Sequence, residues 1–167
     1  MGIYEQGLDK TAANHVALSP TSFVERSAEV FGDLEAVVHG RRRYRWRETR
    51  DRSARLASAL RAFGVGRGTT VSAILHNTPE MVEAHYAVPA LNAVLNTINT
   101  RLDAALIAWQ LDHCESAVVI ADRELAPTVA PALAILRERH GRTPIVIDVC
   151  DSEYGGAGER VGEHEYE

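Results

Sequence analysis

Apolar positions along this chain switch between a helical and a strand period, and the switches mark its elements. The first 18 residues carry no sustained period and are expected to lie along a surface. Ser19-Pro20 then joins a capping side chain to a proline suited to a first helical turn. Phe23, Val24, Ser27, Ala28 and Phe31 follow on one helical face, and Gly32 can end it. Residues 36–38, a turn at His39-Gly40-Arg41, and Tyr44 with Trp46 read as a β-hairpin. From Trp46 the spacing becomes three and four, through Thr49, Ser53, Leu56, Leu60 and Phe63, which predicts an amphipathic helix closed by Gly64.

Beyond that point short apolar runs alternate with helical patterns. Strands are predicted at 71–75, 94–98, 117–121 and 145–149. Between them fall a helix opened by Thr78-Pro79 and kinked by Pro89, and a second started by Thr100 and Asp103 at capping-box spacing. A third runs to about residue 140, with Pro127 near its start and Pro131 as an irregularity. One helix per strand pair is the signature of right-handed β-α-β units and a parallel sheet. The predicted fold class is therefore α/β: an N-terminal helix and β-hairpin followed by parallel β-α-β units. These occupy 1–150, and 151–167, with four glycines, six acids and one arginine, is expected to be an acidic, glycine-rich connector to further sequence.

Composition narrows the class without naming a chemistry. With 167 residues, 46% of them hydrophobic, the chain can bury one core without a disulfide or metal staple. Cys114 and Cys150 form no CxxC pair, so a thiolate zinc site is not expected. The longest uncharged run, 84–100, holds three asparagines and a proline and would not span a bilayer. The first residues lack the basic-then-apolar order of a signal peptide, so a cytoplasmic protein is expected. The net charge of −5 argues against a surface that binds nucleic acid throughout.

Local candidates each have an ordinary structural reading. Gly64-Val65-Gly66-Arg67-Gly68 is glycine-rich, but a helix precedes it and a strand follows, the reverse of a phosphate-binding loop, so a turn is expected. Gly155-Gly156-Ala157-Gly158 follows a strand with no helix after it and reads as linker. His76 and His85 flank Glu80, a conceivable ligand triad set against histidines that only cap or pack. His113 adjoins Cys114, yet neighbouring helical residues do not face each other, and Cys114 is read as a small buried hydrophobe. Residues 41–67 hold ten arginines against Glu48 and Asp51; a solvated face is preferred to a nucleic-acid stripe. The carboxyl ends of the strands bring His76-Asn77, Asn99-Thr100, Asp122 and Cys150-Asp151 to one rim, where an open α/β sheet binds ligands. No nucleophile–base pair or phosphate cradle can be assembled from them, so no catalytic, cofactor-binding or metal residue is assigned.

The run Asn77-Thr78-Pro79-Glu80-Met81-Val82-Glu83-Ala84-His85, continued by Ala93-Val94-Leu95-Asn96-Thr97-Ile98-Asn99-Thr100-Arg101-Leu102-Asp103, resembles the fatty-acyl-CoA synthetases of the adenylate-forming, AMP-binding superfamily. Leu18-Ser19-Pro20-Thr21-Ser22-Phe23, Tyr44-Arg45-Trp46, Ile120-Ala121-Asp122-Arg123-Glu124 and Ile145-Val146-Ile147-Asp148-Val149 agree in order. Asn92 departs from the pattern, standing where relatives usually carry glycine. The resemblance implies part of the large N-terminal domain of an ATP-dependent fatty-acid–CoA ligase. Such an enzyme converts a carboxylic acid, ATP and Mg²⁺ to an acyl adenylate and transfers the acyl group to coenzyme A. The family's phosphate loop, Tyr-Gly-x-Thr-Glu segment, ribose-binding aspartate and catalytic lysine are not found here. These 167 residues are therefore expected to be inactive alone, and to self-associate through apolar surface that later elements would cover. The alternatives are a stand-alone flavodoxin-like binding domain without catalysis and an arginine-rich nucleic-acid module.

Overall fold

The computed structural model describes residues 2–7, 9–153 and 158–167. A single 3₁₀ turn, Ile3–Glu5, precedes α1 (Pro20–Val30), the hairpin β1 (Glu35–His39) and β2 (Arg42–Arg45), and α2 (Trp46–Ala62). Then come β3 (Thr70–Ile74), α3 (Pro79–Ala90), β4 (Val94–Thr97), α4 (Ala104–His113), β5 (Ser116–Asp122), α5 (Ala126–His140), β6 (Ile145–Val149) and β7 (His164–Glu165). The five later strands form one parallel sheet in the order β4-β3-β5-β6-β7. This fits the α/β class expected from the alternation.

The inner strands β3, β5 and β6 are covered on both faces, which is why they read as continuous apolar runs. Val71, Ala73, Val118, Ile120, Ile147 and Val149 share one cluster with Leu56 and Leu60 of α2 and Ala84, Ala87 and Val88 of α3. The alternate positions Ile74, Val119 and Ala121 share another with Ile107 and Leu111 of α4 and Val129, Ala132 and Leu136 of α5. Large apolar side chains that stay exposed include Phe23 and Val30 on α1, Phe31 and Leu34 after it, Val94 at the start of β4, and Leu106 and Trp109 on α4.

Several ends differ from the pattern reading. Asp103, not Thr100, caps α4, its Oδ1 accepting from the Leu106 N–H at 2.8 Å. Pro89 sits in the last turn of α3 and helps end it rather than kink it, while Pro131 lies inside an α5 that runs unbroken through it. Asn92 has φ 54°, a left-handed residue that glycine adopts freely and asparagine tolerates. The departure at Asn92 is thus conservative in backbone terms.

The largest difference is in the tail. Expected to have almost nothing to bury, it instead adds β7 to the sheet, with His164 beside Ile147 and Glu165 beside Asp148. Its anchors are mainly polar, and the two apolar side chains that reach the clusters, Val161 and Tyr166, are too isolated to make a pattern. The buried Asp148 carboxylate accepts from the N–H groups of Val161 at 3.1 Å and Gly162 at 2.9 Å. A side chain at Gly162 would run into the Val146 carbonyl. Gly162→Ala should therefore cost about 1–3 kcal/mol in urea unfolding. Wild-type stability in that variant would mean the tail is not docked in solution.

Candidate functional site

The strand order sets where a ligand can enter. The chain leaving β3 turns to the face covered by α3, and the chain leaving β5 turns to the face covered by α5. The neighbouring carboxyl ends of β3 and β5 therefore part, opening the crevice that serves open α/β sheets as a ligand site.

Three side chains converge there. His76 follows β3; Asp122 ends β5; Glu124 sits in a 3₁₀ turn, Arg123–Leu125, that the Asp122 Oδ1 closes by accepting from the Glu124 N–H at 3.0 Å. One donor atom from each lies within 4.8 Å of the others. His76 Nε2 and Glu124 Oε2 are 3.3 Å apart, yet both are inaccessible to solvent and neither makes a hydrogen bond. Asp122 is itself buried, and burial pushes its carboxyl above the usual aspartate range despite the bond from Glu124. Thr78 occupies the N-cap of α3, but its hydroxyl caps nothing and is also buried without a partner.

Beside this crevice the rim is closed by ion pairs. Asp151, after β6, accepts from His39 Nε2 at 2.7 Å and from the Glu153 N–H at 3.0 Å. Burial opposes its ionisation, but these bonds and the charges of His39 and Arg42 outweigh it and lower its pKa. Arg42 joins Glu80, and its guanidinium donates to the Tyr44 hydroxyl at 3.1 Å. Arg52 of α2 donates to Glu83 at 2.6 Å and also joins Glu167. Tyr166 donates to the second oxygen of Glu83 at 2.6 Å. Glu80 and Glu83, three apart on α3, thus hold the hairpin, α2 and the tail together. Both are buried, and burial pushes the Glu83 carboxyl up even beside Arg52.

The candidates from the sequence sort accordingly. The rim brings His76 and Asp122 together, as strand polarity implied; Asp151 stays with His39, Asn99 only closes a turn to the Arg101 N–H at 2.9 Å, and Cys150 is exposed. The His76–Glu80–His85 triad does not assemble: Glu80 serves Arg42, and His85 donates from Nδ1 to the Met81 carbonyl at 2.7 Å. Glu124 takes their place, a residue that pattern reasoning passed over although it lies two positions beyond a strand end. His113 stacks on Trp109 at 4.9 Å, away from Cys114. Cys114 is not in apolar surroundings but in a polar knot, 3.1 Å from Ser116 Oγ and 3.2 Å from Asn96 Nδ2.

Residues 64–68 form a turn at the opposite, amino end of the sheet, where the Gly68 N–H donates to the Asn92 carbonyl at 3.1 Å. Gly155, Gly156 and Ala157 lie outside the described residues; Gly158, at φ 50°, packs against the Arg123 backbone. The arginines do not make one solvated face. Arg42 and Arg52 are half-buried in the network above, while Arg43, Arg47 and Arg50 pair with Glu35, Asp33 and Asp51. Arg45, Arg55, Arg61 and Arg67 of the same stretch remain exposed.

Comparison with known proteins agrees with this architecture. A family model described as AMP-binding enzyme matches residues 24–164. The chain is 42% identical over 147 residues to a peroxisomal acetate/butyrate–CoA ligase of Arabidopsis thaliana, covering 86% of this chain and 26% of that protein. It is 38% identical to an acetate–CoA ligase of Humulus lupulus, covering all of this chain and 31% of the relative. Among solved structures, that of a putative long-chain-fatty-acid CoA ligase from Rhodopseudomonas palustris superposes with TM-score 0.71 at 28% identity, over 87% of this chain and 34% of the other. The chain thus spans between a quarter and a third of the length of these curated relatives.

Proposed function

Because the chain belongs to the AMP-binding enzyme family across residues 24–164, we propose that it forms the opening part of the large domain of a carboxylic acid–CoA ligase. In this reading the whole enzyme joins a carboxylate to ATP as an acyl adenylate, releasing pyrophosphate. It then passes the acyl group to the thiol of coenzyme A, releasing AMP. The observation that carries the reading is the 42% identity, over most of the chain, to a protein named as an acetate/butyrate–CoA ligase. We read the substrate as an aliphatic fatty acid, because acetate and butyrate are the substrates that relatives' names carry.

ATP, its Mg²⁺ and coenzyme A belong in this proposal to the whole enzyme. The glycine turn at 64–68 does not fit a triphosphate: it follows α2 and feeds β3, so no helix N-terminus faces the bound anion. No step of adenylation is therefore assigned to residues of this chain, and alone it is read as inactive. Residues 151–167 are read as leading into further sequence while docked on the sheet. Self-association remains part of the reading, through the apolar side chains exposed on α1 and α4. Among the described residues no helix is long and apolar enough to cross a membrane. A cytoplasmic site is proposed, beside the peroxisomal one stated for the Arabidopsis relative.

ATP–pyrophosphate exchange tests the proposal. Exchange dependent on acetate, butyrate or a longer aliphatic acid is expected from the protein of the complete reading frame, and none from these 167 residues. A complete protein that exchanges with benzoate alone, or with no acid, would sink the substrate reading; exchange by the 167-residue chain would sink the division of labour.

A further inference from the structure

We infer that His76, Asp122 and Glu124 form a divalent transition-metal site of the zinc class at the mouth of the β3/β5 crevice. The inference rests on these residues and does not depend on the ligase reading.

The geometry is already that of two donors on one ion. Donors about 2.0–2.1 Å from a tetrahedral Zn²⁺ sit about 3.3–3.4 Å apart. His76 Nε2 and Glu124 Oε2 stand 3.3 Å apart, out of solvent and without hydrogen bonds. An imidazole nitrogen and a carboxylate oxygen held out of solvent in this way are costly unless a proton or a metal ion between them takes up both lone pairs. A bridging cation does so. The third donor, from Asp122, is within 4.8 Å of both, so a shift of at most about 1.5 Å brings it to the same spacing.

The surroundings supply what a ligand set needs. Asp122 is held by the Glu124 N–H, an outer hydrogen bond of the kind that orients metal-binding carboxylates. Burial raises the cost of a free charge on Asp122, and a cation removes that cost. One imidazole with two carboxylates favours Zn²⁺, Co²⁺ or Mn²⁺ over Mg²⁺, which prefers all-oxygen octahedra. Three protein donors leave the fourth position of a tetrahedral ion to solvent, on the partly exposed side of His76. This ion is chemically distinct from the Mg²⁺ that accompanies ATP.

The competing account is a simple ion pair between protonated His76 and Glu124, and calorimetry separates the two. The chain, stripped with EDTA and desalted, is titrated with ZnCl₂ near neutral pH. One equivalent is expected to bind in the micromolar range or tighter, and to raise the melting temperature. His76→Ala and Glu124→Gln should each weaken binding by about 100-fold, since losing an outer-shell partner alone costs 10–100-fold. Cys150→Ser and His140→Ala should leave it unchanged. Melting curves in EDTA check that each variant is folded, and Glu124→Gln keeps the side-chain volume. Co²⁺ should show visible bands of four-coordinate N/O ligation. No stoichiometric Zn²⁺ binding, binding unchanged in both variants, or thiolate-to-cobalt charge transfer would overturn the assignment.

Discussion

Arg52→Ala should destabilise the chain by about 3–5 kcal/mol, as removal of one partner from a buried ion pair does. Arg52 is only 13% exposed and Glu83 3%. Burial works against the charge on Arg52, but its hydrogen bonds to Glu167 and Glu83 outweigh that and hold its pKa above the ordinary value. Without the guanidinium, the Glu83 carboxylate keeps only the Tyr166 hydroxyl, in a buried site that also holds Glu80. The Tyr44 ring loses the cation 4.9 Å above it, and the tail loses its hold on α2 through Glu167. In thermal unfolding this amounts to a fall on the order of 10 °C for a chain of this size. Arg52→Ala with Glu83→Gln should recover part of the loss, because the stranded group is then neutral. A single variant within 1 kcal/mol of wild type, typical of exposed pairs, would show that the network does not persist in solution.

Leu60→Ala should cost about 2–5 kcal/mol, from lost burial and from the cavity left behind. Leu60 is fully buried in α2, in the cluster that also contains Leu56, Val65 and Val71 of the helix–sheet layer. Arg61, the next residue, is exposed near the end of the same helix. Arg61→Ala should cost less than about 1 kcal/mol, the value of a cation near a helix C-terminus. Equal effects at the two positions in chemical unfolding would mean that α2 does not pack through the face carrying Thr49, Ser53, Leu56 and Leu60.

The two positions differ in how far the sequence alone could reach them. Leu60 was readable, because a helix buries one face and the spacing from Trp46 to Phe63 states which face. The same logic recovered the hairpin, the alternation of strands and helices, and the parallel sheet. Strand polarity then placed His76 and Asp122 on one rim. Each of these rests on a local, periodic signal: apolar spacing, a capping side chain, or a glycine at φ 83° such as Gly64. The family followed from ordered short segments, which are also local.

Arg52 was misread as part of a solvated face because nothing within a few residues of it is its partner. Glu83 is 31 positions away and Glu167 is 115. The docking of the tail is illegible in the sequence for a related reason. Its main anchors are the Asp148 carboxylate and backbone N–H groups of residues 161 and 162, and a polar anchor adds nothing to a hydrophobic pattern, while Val161 and Tyr166 pack as isolated apolar residues. Glu124 joined His76 only once β3 and β5 lay side by side, across 48 residues of chain. Periodicity records which face of an element is buried; it carries no record of which buried charge meets which. Elements, sheet and family were thus determined by the sequence itself, while the ion-pair network, the docked tail and the His76–Asp122–Glu124 cluster were decided by the strand order, because close approach of distant polar groups exists only after the layers have packed.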